Sequence, residues 1–238
     1  MIPIDKNSKL DILYQDEYLV AINKPCGYLV HRSPIARDAE FIVLQILRDQ
    51  VGQHVYPIHR IDRKTSGVLL FALDTVTNRG LGKDFAEHNL TKEYTAVVRG
   101  WIDDNGVIDY ALTNDSGKTQ DAITKYECLD RFELDLPLGR FQTSRYSHVK
   151  VLPKTGRMHQ IRKHMNHLRH PIVGDRPHGC SKQNRLWKSE FGLTNMMLHA
   201  KSLDITHPIT KTNLSIEAPY FSEYERVLGI LSKEMISD

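Results

Sequence analysis

The sequence predicts an α+β fold, a mixed and mainly antiparallel central sheet flanked by helices and loops. Three observations point there. Short apolar or alternating segments read as strands along most of the chain, helical periodicities lie among them, and no regular βαβ rhythm joins the two. The 238 residues, 40% of them hydrophobic, suffice for the core of one large domain or two interlocked subdomains.

The first strands fall in DILYQDEYLVAINKPCG, where Ile12 and Leu13, then Leu19 to Ile22, flank a polar turn, and Pro25 and Gly27 close the pair. EFIVLQILRDQ spaces Ile42, Ile46 and Leu47 for an amphipathic helix. VLLFALD is a buried strand, TNRGLGKDFAEHN a helix despite its glycines, and TKEYTAVVRGWI a strand. Further strands are expected around AITKYECLD, SHVKVLP and MMLHAKSLDITH. In the helix MHQIRKHMNHL, the residues Ile161, Met165 and Leu168 share one face, which leaves Arg162 and Lys163 off the apolar stripe. YFSEYERVLGILSKEM closes the chain as a surface helix. No repeat, low-complexity segment or Gly/Ser linker marks a boundary, so residues 1–238 are expected to form a single domain.

Composition narrows the function classes. No apolar run resembles a leader or a bilayer span; the longest clean one is VLLFAL. Cys26, Cys128 and Cys180 are odd in number, widely spaced and form no CxxC pair, which argues against a disulfide framework or a thiolate zinc site. A cytoplasmic location fits these features. The formal charge of +3 names no partner, but its distribution does more: Arg145 to Lys188 holds eleven Lys and Arg, six of the twelve histidines and one acid, Asp175. A stretch that long, nearly free of carboxylates, suits a polyanion.

Several motifs imitate known chemistry and fail on spacing. HRID lacks the contiguous His-Arg-Asp of a kinase catalytic loop, and no Gly-rich loop or DFG accompanies it. SGKT at 116–119 resembles the end of a phosphate loop, yet Leu112 stands where its first glycine belongs. His159, His164, His167 and His170 are close in sequence, but only some pairs share a helical face and no acidic ligand completes a zinc site. No metal is expected. Histidine beside Arg and Lys more often contacts RNA phosphate or caps structure, and in the first of these roles Arg157, His159 and Lys163 are candidate contacts.

HRIDRKTSG, residues 59–67, is harder to dismiss. Asp62 stands between arginines on a loop that enters the strand VLLFAL, with two hydroxyls and a glycine behind it. It is either an ion pair that orders the loop or a carboxylate kept ionised for nucleophilic or base catalysis.

HRIDRKTSGVLLFA resembles the catalytic motif of the RluA family of pseudouridine synthases, with Ile61 in place of the commoner Leu. Four further blocks follow in the family's order: NKPCG, KEYTAVVRG, KTGRMHQIRKHM with HPIVGD, and MLHAKSLDITHP. The resemblance runs from residue 12 to about residue 220 and implies the pseudouridine synthase fold, with no S4-type RNA-binding domain in this chain. Within the family, VHRS, TSRYSHVKVLPKTGR, HLRHPIVGD and HGCSKQNR are similar to a subgroup that modifies tRNA, which implies uridine 65 of the T-stem as substrate.

The resemblance also implies roles. Asp62 matches the catalytic carboxylate, Arg162 the arginine that pairs with it, and Tyr94 the tyrosine beside the target base. Arg60 matches the residue that fills the space of the everted nucleotide, while Arg63 and Lys64 are expected to bind backbone. The family's isomerisation requires no cofactor, and a monomer acting on tRNA is expected. An RluA-like enzyme for ribosomal RNA and a non-catalytic RNA-binding domain are the alternatives.

Overall fold

The structure, a computed structural model, describes residues 9–31 and 41–233. Outside them lie Arg32 and Ser33 of VHRS, Glu40 at the head of the first helical stretch and the end of the C-terminal one beyond Lys233. The chain opens with β1 (Asp11–Gln15), β2 (Leu19–Lys24), α1 (Val43–Val51), β3 (Tyr56–Pro57), β4 (Ser66–Ala72) and α2 (Thr75–Glu87). There follow β5 (Thr91–Arg99), β6 (Asn105–Asp109), β7 (Leu112–Thr113), β8 (Thr119–Gln120), β9 (Ile123–Leu134), β10 (Ser144–Pro153), α3 (Gln160–His167) and α4 (Ser181–Phe191). The last elements are β11 (Leu198–Thr206), β12 (Asn213–Glu217) and α5 (Ser222–Lys233).

Two compact units result, one of residues through Thr91 with Ala200–Pro219, the other of Lys92–His199 with Tyr220 onward. In the first, strand order is β1-β2-β4-β11, with β12 antiparallel on β11 and β3 antiparallel on β4. Strand β4 is buried at every position, as expected for VLLFAL, and it runs antiparallel to β2 with Lys24 opposite Gly67. Leu19, Ala21, Val68 and Leu70 pack with Leu81 of α2 and with Leu203, Ile205 and Ile216 of the returning strands. Asp74 caps α2, its carboxylate accepting from the N–H groups of Val76 and Thr77, which starts the helix despite Gly80 and Gly82.

In the second unit β5, β10, β9 and β6 lie side by side, and every pairing is antiparallel. Its core joins Val97, Tyr146 and Val149 of these strands to Met165 of α3, Trp187 of α4 and Tyr224, Val227 and Leu231 of α5. α5 therefore has a fully buried face as well as the surface the sequence predicts. SGKT forms the turn of the β7–β8 hairpin, where Asn114 N–H donates to Lys118 O at 3.0 Å and Gly117 takes φ 82°. A strand follows it where a phosphate loop needs a helix.

Gly67, the glycine of TSG, is needed twice over. Its φ is 104°, and a Cβ placed there would stand 2.1 Å from the carbonyl oxygen of Ala200. Both obstacles are main chain, so no side-chain rotation relieves them. Gly67→Ala should lower stability by about 3 kcal/mol or more. Urea unfolding of the variant checks this, and an unchanged midpoint would refute the close approach.

Candidate active site

Asp62 sits half-buried at the first corner of a turn in which Thr65 N–H donates to Asp62 O at 3.0 Å. Arg60, Arg63 and Lys64 around it are exposed. The turn is tied to the NKPCG segment by reciprocal bonds. Gly27 N–H donates to Arg63 O at 2.8 Å, Arg63 Nε returns a bond to Gly27 O at 2.9 Å, and Cys26 Sγ donates to Lys64 O at 2.9 Å. His59 accepts from Leu70 N–H at 3.1 Å and stacks on Phe85, so the motif's first residue is also fixed.

Beneath this turn lies Lys24, which has no exposed surface. Its Nζ donates to the carbonyls of Pro25 at 2.8 Å, Tyr28 at 3.1 Å and Arg63 at 3.2 Å. Three acceptors match the three N–H bonds of an ammonium, whereas a neutral amine has two. Burial pushes Lys24 down to about 7, against the upward pull of Cys26 and Asp62. The lysine thus holds Asp62 through its turn, a role that the sequence reading passes over although NKPCG contains it.

The other matched residues belong to the second unit. Tyr94 of β5 stands opposite Val151 of β10, half-buried against the core. Arg162 of α3 is buried although it is off the apolar stripe, because its Nε and Nη2 form a two-pronged ion pair with Asp175 at 2.7 and 2.8 Å. Asp175 is the lone acid of the basic stretch, a visible signal whose partner the sequence does not name. The turn bearing it is fixed by Asn184, whose Oδ1 accepts from Gly174 N–H at 2.9 Å and whose Nδ2 donates to Asp175 O at 2.7 Å. Gly179 is required beside it, since a Cβ there would stand 1.8 Å from Asp175 O.

Gln160 and His164 lock α3 to β9. Gln160 Oε1 accepts from Thr155 Oγ1 and from Arg157 N–H, while its Nε2 donates to Ile123 O and Thr124 Oγ1. His164 Nε2 must donate to the carbonyl of Tyr110 at 3.0 Å, which leaves Nδ1 to accept from the Thr124 hydroxyl at 2.8 Å. Burial lowers the pKa of His164, consistent with this neutral tautomer.

The remaining histidines of the helix also have local partners. His167 stacks on Tyr110, His170 Nδ1 donates to Arg99 O, and His159 Nδ1 lies 3.0 Å from His178 Nε2. Among the described residues no group of three His, Cys, Asp or Glu is arranged to hold a metal ion. Of the expected RNA contacts, Arg157 Nε donates to Asp121 O at 3.0 Å and Lys163 Nζ to Thr113 O at 3.3 Å.

With this geometry in view, sequence and fold comparisons agree. A sequence model described as RNA pseudouridylate synthase matches residues 18–167. The tRNA pseudouridine synthase C of Salmonella typhi is 46% identical over 230 residues, covering 92% of this chain and 88% of the relative. That of Vibrio parahaemolyticus is 48% identical over 221 residues, covering 88% and 90%. The chain spans 61% of the Pectobacterium carotovorum relative, to which it is 46% identical over 92% of its own length. Human RNA Pseudouridylate Synthase Domain Containing 1 shares the fold, with a TM-score of 0.73 and 21% identity over the whole of both chains. Human RNA Pseudouridylate Synthase Domain Containing 4 superposes with a TM-score of 0.71 and 25% identity over 93% of each chain. No helix among the described residues is long and apolar enough to cross a membrane.

Two outcomes are expected from the buried ions. The Lys24 pKa lies near 7 in the folded chain and near about 10.4 in the unfolded one, so between those values the unfolded state binds the extra proton. The contribution of Lys24 to stability therefore rises with pH across that window and is lost as pH falls toward 7. Urea midpoints at neutral and alkaline pH should show this rise in the wild type and lose it in Lys24→Met; parallel curves would contradict it. Asp175→Ala, which takes the bidentate partner from a buried guanidinium, should cost about 3 kcal/mol in the same assay, and Asp175→Asn less.

Proposed function

Because the chain belongs to the RNA pseudouridylate synthase family, we propose that it isomerises a uridine of tRNA to pseudouridine, and that the target is uridine 65 of the T-stem. The observation that carries this reading is the placement of Asp62, half-buried on a turn fixed from below by Lys24 and surrounded by exposed Arg60, Arg63 and Lys64. A carboxylate held in this way can act on a nucleotide while cations bind the flanking phosphates.

In the reaction the N1–C1′ glycosidic bond breaks, the uracil turns, a C5–C1′ bond forms, and the proton lost from C5 is matched by one gained at N1. Atoms balance without an external donor. Asp62 supplies the carboxylate for bond cleavage. Tyr94 lies beside the base, where its ring stacks on uracil and its hydroxyl relays the C5 proton. By the family likeness Arg162 is assigned as the partner of the Asp62 carboxylate, and Asp175 fixes its guanidinium. A stem uridine must first leave its helix, which costs a few kcal/mol in lost pairing and stacking. Arg60 fills the gap it vacates. The same reading puts the enzyme in the cytoplasm as a monomer that uses neither metal nor cofactor.

An unmodified tRNA transcript incubated with the protein alone should acquire one pseudouridine at the T-stem position, mapped by chemical labelling and primer extension. Asp62→Asn should fold and yield none. Arg162→Lys should lower kcat by about tenfold or more, since it keeps the charge and loses the planar fork. Product confined to ribosomal RNA would reassign the substrate, and a fully active Asp62→Asn would remove that residue from the mechanism.

A further inference from the structure

The second unit has a groove of about 780 Å³ that none of the matched catalytic residues enters. Its walls are the end of β5 at Arg99 and Gly100, the β9–β10 connection from Leu138 through Arg145, and Cys180, Lys182 and Gln183 at the start of α4. Arg99, Arg140, Arg145 and Lys182 are all exposed there, and no acidic side chain is among the described residues that line the groove, although Glu133 pairs with Arg145 at 3.1 Å. α4 adds to the positive field: its first turn contains no acid and no side chain caps its N–H groups.

The groove also presents flat surfaces. Leu138 and Phe141 exchange main-chain hydrogen bonds of 2.9 and 3.3 Å around Gly139 and Arg140, and Gly139 takes φ 64°. This tight turn leaves the Phe141 ring 55% exposed, with the Arg140 guanidinium 5.1 Å from its centroid. Arg145 lies 4.0 Å over the ring of Trp101 while its Nε binds Glu133 at 3.1 Å, so one guanidinium is already oriented. At the floor Tyr146 OH donates to the buried Gln183 Oε1 at 2.5 Å.

We propose that this groove is a second RNA-binding subsite, which holds the sugar-phosphate backbone of the substrate RNA and stacks one unpaired base on Phe141. The inference rests on the RNA-modifying reading above. Guanidinium groups beside the exposed ring of Phe141 match phosphates next to a base, whereas an acidic peptide would need the cations and not the ring. The location is informative too. TSRYSHVKVLPKTGR and HGCSKQNR, two of the stretches similar to the tRNA-modifying subgroup, supply Arg145, Lys182 and Gln183 to one groove. The subsite thus bears on which RNA is accepted, apart from the chemistry at Asp62.

The test uses full-length protein and a labelled, unmodified tRNA transcript. Arg140→Ala, Lys182→Ala and Phe141→Ala change exposed side chains, and thermal melts establish that each folds. Each cation variant should weaken binding several-fold and reduce the slope of log affinity against log salt by about 1. Phe141→Ala should weaken binding by about tenfold at every salt concentration. In turnover the loss should fall on KM. Wild-type affinity and salt slope in all three variants would overturn the subsite, as would a wild-type protein that does not bind the transcript. Pseudouridine formation by the wild type is scored in the same reactions. If no pseudouridine forms yet the variants lose binding, the subsite stands and the proposed reaction falls; if product forms and the variants bind normally, the subsite alone falls.

Discussion

A fully buried lysine whose Nζ is within hydrogen-bonding reach of three main-chain carbonyls is the constraint on which the Asp62 turn depends. Lys24 joins pieces of chain that are 39 residues apart, so the NKPCG segment and the HRIDRKTSG loop behave as one object. A hydrophobic residue could fill the same volume, but it would take the donor from the Pro25 and Tyr28 carbonyls and leave Arg63 O to Gly27 N–H alone, which is the larger penalty. Gly67 completes the arrangement from the strand opposite Lys24, by letting the main chain of β11 approach where any side chain would collide. A catalytic carboxylate needs its position fixed to a fraction of an ångström. Around Asp62 main-chain bonds, the buried Lys24 and the bond from Arg63 Nε to Gly27 O fix the turn, and Arg60 and Lys64 stand exposed beside it.

The second unit applies the same device with the opposite sign of ion. Asp175 accepts both prongs of Arg162, and Asn184 then holds the turn that carries Asp175. Gln160 and His164 bind the helix to β9 through Thr124, with each donor and acceptor in that chain matched. A guanidinium set in such surroundings loses little further freedom when it meets a carboxylate, which is the physical meaning of preorganisation. Buried polar networks of this kind stabilise only when complete. The motif KTGRMHQIRKHM therefore has a structural role of its own, since Gln160, Arg162 and His164 meet their partners inside the fold.

The sequence reveals what depends on periodicity or on contiguous motif, and conceals what depends on pairing between distant segments. β4 was visible because every residue is apolar or small, and α3 because Ile161 and Met165 recur at helical spacing. β6 and β12 were missed because each buries a single residue at a sheet edge, too little for an alternating signal. α4 escaped for a similar reason: Gln183 and Trp187 are its buried residues, and its opening SKQNR contains no apolar position. Lys24 stood inside a recognised phrase, yet nothing local announces a lysine with no solvent exposure. Asp175 did signal itself, as one acid among eleven cations, but its partner is found only when α3 and the following turn are folded together.

That lone acid also changes how the basic stretch should be understood. A linear count treats all eleven cations alike, whereas folding divides them. Arg162 is buried and pairs with Asp175, Lys150 pairs with Glu93 at 3.3 Å, and Arg145 is held by Glu133 and Trp101. Arg169, Arg176, Lys182, Arg185 and Lys188 remain exposed around the turn and helix that follow α3. The acids that balance the formal charge lie elsewhere in the chain, so this surface keeps its positive field without making the whole protein strongly basic. A modest net charge limits indiscriminate attraction to every nucleic acid, while a local excess steers the correct polyanion to one face. In the proposed subsite, selectivity falls to groups with fixed geometry such as the stacked guanidinium of Arg145, because diffuse charge attracts any phosphate and only oriented donors and rings distinguish one RNA from another.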